Sequence, residues 1–253
     1  MSTRRIRVDS ALVKRGLAES VDEARALIDE GVVLANGSVV MTHSRQVAPS
    51  DVLLVKPVDQ FVSRGGIKLE AALAAFNIDV SNQRALDAGA STGGFTDCLL
   101  QRGASEVVAV DVGKSQMHER VATNNRVVVI DTFNVRQLAD DTQDLPIPLR
   151  SEFDLAVADL SFISLKSVSR ALTARLSRSG NLVVLVKPQF EATKLEVDKS
   201  QGVIADQAIR DRVVGEVNES FAEQGWVVRG CIESPIHGAE GNVEYLVWYR
   251  FEA

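Results

Sequence analysis

The 253-residue chain is poor in the residues that mark several large protein classes. Its two cysteines, Cys98 and Cys231, stand alone without a CxxC spacing. That excludes a disulfide framework and fits a reduced, cytoplasmic setting. Both read as core residues. Three histidines, His43, His118 and His237, are scattered, so no metal site is expected. Apolar runs such as Ala71–Phe76 and Leu182–Val186 fall far short of the roughly 18 residues that a spanning helix needs. Nor does any apolar stretch follow the charges of Met1–Arg7, as a secretory leader would require. Aromatics are only 5%, so partners for base stacking are few. What remains is ordinary for a folded chain with a sizeable core: 45% apolar and 25% charged residues. The net charge of −6 argues against a simple polyanion binder. Positions 4 to 15 nevertheless hold five bases (Arg4, Arg5, Arg7, Lys14, Arg15) against one acid, Asp9.

The pattern predicts a small α+β head over residues 1–58, a linker at 59–65 and a body at 66–253. In the head, Val8–Arg15 reads as a helix stopped by Gly16. Ser20 and Glu23 then form a capping box for a second helix. Asn36-Gly37 between apolar pairs predicts a hairpin, and Val52–Val55 a further strand. The body alternates buried strands with helices, which implies a doubly wound α/β sheet. Strand-like runs are 84–87, 106–111, 126–131, 153–159 and 181–187. Helices are expected at 95–101, 165–176 and 207–224, and final strands at 226–233 and 243–251. Trp226 and Trp248 read as sheet packing.

Each of the five runs ends in a charge: Asp87, Asp111, Asp131, Asp159 and Lys187. Parallel strands would bring all five to one edge, where open α/β folds bind ligands. A single Asp there can be a helix cap, but Lys187 is no capping residue. After the first run comes Gly89-Ala-Ser-Thr-Gly-Gly-Phe-Thr96. It lacks the Lys-Ser/Thr of a P-loop. Ser91 also replaces the middle glycine of a dinucleotide fingerprint, which disfavours NAD or FAD. A cofactor without phosphates, its ribose on Asp111, fits better, and S-adenosylmethionine meets these constraints.

Four motifs in order, Asp87–Thr96, Ala158–Leu165, Val186–Glu191 and Gly241–Tyr245, resemble the TlyA family of haemolysin-like ribosomal RNA 2′-O-methyltransferases. The body thus resembles FtsJ-like Rossmann methyltransferases. The head, through Arg7–Leu17 and Val33–Gly37, resembles the alpha-L RNA-binding module of ribosomal small-subunit protein four. The resemblance implies a catalytic tetrad of Lys68, Asp159, Lys187 and Glu244. It also implies cofactor contacts from Asp87, Gly89, Ser91, Thr92, Gly93, Gly94, Phe95, Asp111, Asp131 and Asp159. RNA contacts are expected from Arg4, Arg5, Arg7, Lys14, Arg15, Arg25 and Arg64, and base stacking from Phe162 and Phe190. Three positions depart from the family pattern: Val21 where the head usually has Arg, Asp131 where the body has Glu, and Lys114 where an aromatic is common.

The chemistry suits that set. A ribose hydroxyl is a poor nucleophile, so methyl transfer needs alignment and a proton acceptor. Two ammonium groups held close favour loss of a proton from one, and the carboxylates orient both. Lys187 is assigned as base and Lys68 as its partner. The substrate implied is ribosomal RNA, free or in subunits, at a cytidine ribose. The short chain end resembles members restricted to large-subunit RNA. A monomer without membrane attachment is expected. Two rival readings stand beside this one. One is a membrane-active haemolysin, for which no basic amphipathic helix speaks. The other is a non-catalytic RNA-binding protein on the same fold.

Overall fold

The computed structural model describes residues 5–56 and 60–252. Arg4 lies outside them, as does residue 59 of the expected linker. The chain forms two compact units, Met1–Asp59 and Gln60–Ala253.

In the first unit, β1 (Ile6–Arg7) leads directly into α1 (Val8–Lys14), and α2 spans Val21–Asp29. Ser20 caps α2, its side chain accepting from Glu23 N at 3.1 Å. The return arm differs from the expected box, because Glu23 accepts from Glu19 N rather than from Ser20. β2 (Val33–Ala35) and β3 (Ser38–Val39) form the hairpin. Asn36 and Gly37 both take positive φ, 51° and 81°, as a type I′ turn demands. β4 (Gln46–Val47) pairs with β1, and β5 (Leu53–Val55) pairs antiparallel with β2. Val8, Leu12, Ala24, Ile28 and Val33 form the core.

The second unit opens with α3 (Arg64–Ala75), whose Leu69, Ala72 and Leu73 face inward. Then follow β6 (Arg84–Ala88), α4 (Gly94–Gln101), β7 (Glu106–Val110), α5 (Glu119–Ala122), β8 (Val127–Ile130) and β9 (Phe153–Ala158). After these come α6 (Ser169–Thr173), β10 (Leu176–Val186), α7 (Pro188–Glu191), α8 (Lys194–Lys199), α9 (Gln207–Ala222), β11 (Trp226–Glu233) and β12 (Tyr245–Phe251). The sheet order is β11-β12-β10-β9-β6-β7-β8. Strands β6 to β10 are mutually parallel, while β12 runs antiparallel to both neighbours. The sheet is therefore mixed. Its Val-rich central strands bury both faces, one in each of two apolar clusters, which is why they read as continuous apolar runs.

Two expectations are corrected. The helix expected over 165–176 is a 3-10 turn at Leu165–Ser167 followed by the short α6. β10 begins at Leu176, with a register irregularity before Asn181. Cys231 is exposed on β11, an edge strand, and is not a core residue. Cys98 is buried as expected.

Candidate active site

Parallel pairing brings Asp87 and the residues that follow β7, β8, β9 and β10 to one edge of the sheet. Antiparallel β12 starts at that edge too: Tyr245 pairs with Val186, so Glu244 comes up beside Lys187. Lys68 reaches the site from the second turn of α3. The four side chains make two ion pairs. Lys68 Nζ donates to Glu244 Oε2 at 2.5 Å. Lys187 Nζ lies 2.7 Å from Asp159 Oδ1, a charge contact without hydrogen-bond alignment, and donates to Ser161 Oγ at 2.8 Å. Lys68, Lys187 and Glu244 are all buried. Each of these buried groups has an opposite partner within contact distance.

Three clefts open around these pairs. The first, about 500 Å³, is lined by Gly89, Ser91, Asp111, Phe133, Asn134 and Asp159 among others. Asp111 is oriented by two backbone donors: Ser91 N reaches Oδ2 at 2.8 Å and Gly113 N reaches Oδ1 at 2.7 Å. The smallest, about 170 Å³, lies over the glycine-rich turn and is lined by Gly89, Thr92, Gly94, Phe95, Asp159 and Lys187 among others. Gly89 has φ +85°, and a Cβ there would stand 2.6 Å from the Asp159 carbonyl oxygen. Only glycine lets this turn pass so close to the end of β9. The remaining cleft, about 330 Å³, is lined by Phe162, Lys187, Gln189, Phe190, Glu240 and Glu244 among others. Ser161 lines all three.

Asp87 sits beneath the glycine-rich turn. It is wholly buried, and its Oδ2 accepts from Thr96 Oγ1 at 2.6 Å while Oδ1 has no hydrogen-bond partner among the described residues. Burial, reinforced by the Asp159 charge, pushes its carboxyl up to about 7 against the pull of the Thr96 hydroxyl. Asp131 does not line the first cleft; its carboxylate accepts from Ser115 N at 2.8 Å and so holds the loop after Asp111. Gly93 begins α4 with φ +90° and lines none of the three clefts.

Phe162 is 92% exposed with φ 61°, and its ring meets Phe190 at 5.2 Å. Sequence reasoning missed Ser161 and Glu191, although each lies within one of the four family motifs. Buried Glu191 accepts from Leu165 N at 2.7 Å and Ser164 Oγ at 2.5 Å, fixing the loop that carries Ser161. Nothing in composition or spacing marks these residues as tethers. Arg64, expected on RNA, donates to the His237 carbonyl at 2.6 Å.

Within the first unit, Arg5, Arg7, Lys14, Arg15 and Arg25 are all exposed. Arg7 and Arg25 share Asp9, which is buried. The Arg7 guanidinium holds the Asp9 carboxyl well below the usual range, despite its burial. Arg15 is engaged with the carbonyls of Ala48 and Asp51.

A sheet with parallel strands to one edge, a glycine-rich turn after its first strand and an acid after the next make a Rossmann-like nucleotide-cofactor site. The match of residues 61–251 to the FtsJ-like methyltransferase family sets the class: an S-adenosylmethionine-dependent methyltransferase. The S4 domain profile matches residues 6–53. A Mycobacterium tuberculosis protein named 16S/23S rRNA (cytidine-2′-O)-methyltransferase TlyA is 45% identical, over 98% of this chain and 90% of its own length. Hemolysin A of Brachyspira hyodysenteriae is 36% identical, over 96% of this chain and 99% of its own. A solved structure from Streptococcus thermophilus, also carrying a hemolysin name, is 35% identical with a TM-score of 0.72, covering 99% of this chain and 90% of that one. The chain belongs to the TlyA family of FtsJ-like methyltransferases. Among the described residues, no helix is long and apolar enough to cross a membrane.

Proposed function

We propose that the protein methylates a ribose 2′-hydroxyl of ribosomal RNA, at a cytidine, in the cytoplasm where ribosomal subunits assemble. The observation that carries this reading is the pair of buried lysine–carboxylate contacts at the junction of the clefts, Lys187–Asp159 and Lys68–Glu244. S-adenosylmethionine, when bound, supplies an electrophilic methyl group. Asp111 suits its ribose hydroxyls, and the turn from Gly89 to Phe95 suits its amino-acid end. Gly89 lines both the first and the smallest cleft, and a Cβ there would strike the Asp159 carbonyl.

The protein's own residues align the hydroxyl and receive its proton. Lys187 lines both the smallest cleft and the 330 Å³ cleft, so its Nζ stands where nucleophile and methyl donor would meet. To act as base Lys187 must first give up one proton. As the neutral amine it donates to Ser161, lies against Asp159 and turns its free lone pair to the 2′-hydroxyl, whose proton it accepts as the oxygen takes the methyl group. Lys68, held by Glu244, supplies fixed positive charge that steadies the developing alkoxide. Phe162 and Phe190 offer faces for an extruded base. Arg5, Arg7, Lys14 and Arg25 of the S4 unit would contact phosphates.

The test is transfer of labelled methyl from S-adenosylmethionine to separated ribosomal subunits from unmodified cells, with Lys187→Ala alongside. The expected result is label at one internucleotide bond that resists alkali, lost in the variant while its cofactor Kd is nearly unmoved. If K187A loses cofactor affinity together with transfer, its role as base is wrong. If cofactor binds but neither subunit takes label, the substrate is another RNA.

A further inference from the structure

We propose that the 330 Å³ cleft reads the target base through two side chains, the Gln189 amide and the Glu240 carboxylate, and that Glu240 separates cytosine from uracil. This rests on the ribose methylation proposed above and names the residues that choose its substrate.

Most polar groups that line the cleft are already committed. Ser161 receives Lys187, and Lys187 also faces Asp159. Glu244 receives Lys68. Asn242 uses its oxygen on Ile204 N at 2.9 Å and its nitrogen on the Gly202 carbonyl at 2.8 Å. Gln189 differs. Its Oε1 is buried with no hydrogen-bond partner among the described residues, and its amide nitrogen donates to none of them. A buried amide oxygen left unpaired is destabilising, a cost relieved when a ligand supplies the missing bonds. Gln189 is held at the start of α7, two residues after Lys187, so the base it meets belongs to the nucleotide whose hydroxyl meets that lysine. Phe190 follows it and carries the Phe162 ring contact, which gives the base a face as well as an edge.

The Watson–Crick edge of cytosine presents an exocyclic amine beside a ring nitrogen acceptor. A terminal amide meets both at once, its carbonyl accepting and its N–H donating. Uracil presents the reverse pattern. Because none of the described residues hydrogen-bonds the Gln189 amide, it can turn over and pair with uracil equally well, so Gln189 grips a pyrimidine without choosing one. Glu240 breaks that symmetry. Its carboxylate is exposed on the loop between β11 and β12 and lines the same cleft. An ionised carboxylate only accepts. It can take the second hydrogen of the cytosine amine but meets the uracil oxygen with repulsion.

The experiment uses ribosomal subunits whose methylated nucleotide, first mapped by alkali resistance, is either cytidine or uridine. Transfer and cofactor affinity are measured for the full-length wild type, Gln189→Ala and Glu240→Gln. The wild type should favour cytidine. E240Q should shrink the cytidine-to-uridine ratio of kcat/KM by about tenfold or more, the range of one base contact. Q189A should lower kcat/KM by about 10- to 100-fold on either base with cofactor Kd unmoved. A purely structural role would not move the base ratio. If both variants keep the wild-type ratio and rate, base reading by this cleft is overturned while the methylation stands. If the wild type labels neither subunit, the methylation reading fails and takes this inference with it.

Discussion

Asp87 and the Lys68–Glu244 pair bury ionisable groups in opposite ways, one without a counter-charge and one with it. Asp87 holds its proton more tightly folded, near 7, than its usual 3.8. Its contribution is therefore complete below about pH 4 and is lost as the pH rises through 7, a span worth at most about 4 kcal/mol. Asp87→Asn removes the titration: urea unfolding should show wild type losing stability relative to D87N between about pH 4 and 7. Equal pH profiles for the two proteins would mean Asp87 is ionised in the fold. For the lysine pair, truncating one partner strands a buried charge. Glu244→Ala should cost about 3–5 kcal/mol, and Lys68→Met together with Glu244→Leu should recover much of that loss. Denaturant midpoints of Lys68→Met, Glu244→Leu and their double variant check it through a double-mutant cycle, with Glu244→Ala read alongside. Methyl transfer should fail in Glu244→Ala and in the double variant.

At the scale of elements, the turn from β6 to α4 is the part least able to change. Gly89→Ala would set a Cβ 2.6 Å from the Asp159 carbonyl in a backbone region that side chains avoid. We expect G89A to raise cofactor Kd and lower transfer by tenfold or more, measured by calorimetry and label incorporation. Normal affinity would mean that this turn bears little on the cofactor. Much of this architecture is legible in the sequence because its signals are local. Val-rich runs ending in Asp or Lys announce the parallel strands and their shared edge, and Asn36-Gly37 announces the hairpin. The region 165–180 misleads because Leu165, Val168, Leu172 and Leu176 repeat at helical spacing while serving a 3-10 turn, a short helix and a strand in turn. Cys231 misleads because strand alternation does not reveal which strand is the edge. Resemblance names the four ionic residues, but their pairing requires the antiparallel return of β12. Gln189 and Glu240 stay hidden because an unpaired amide and a cleft wall are tertiary facts.

Over the whole molecule, the acidic balance leaves RNA attachment to a limited set of exposed bases. Arg5 and Lys14 stand exposed on the S4 unit. Reversing both, Arg5→Glu with Lys14→Glu, should weaken binding to ribosomal subunits. Its dependence on log salt should flatten by about 0.7 to 0.9 for each phosphate no longer neutralised. Cofactor affinity should be unchanged. A salt slope equal to that of the wild type would put the phosphate-binding bases elsewhere. The position of β12 has a consequence for synthesis. It is made after both of the strands it separates, β10 and β11, yet it lies inside the sheet between them and brings Glu244. During translation the S4 unit emerges well before it, able to fold while the rest is still being added. The lysine in α3 waits without its counter-charge until β12 leaves the exit tunnel. A message cut short ahead of those codons would yield a chain in which Lys68 has no Glu244 to meet.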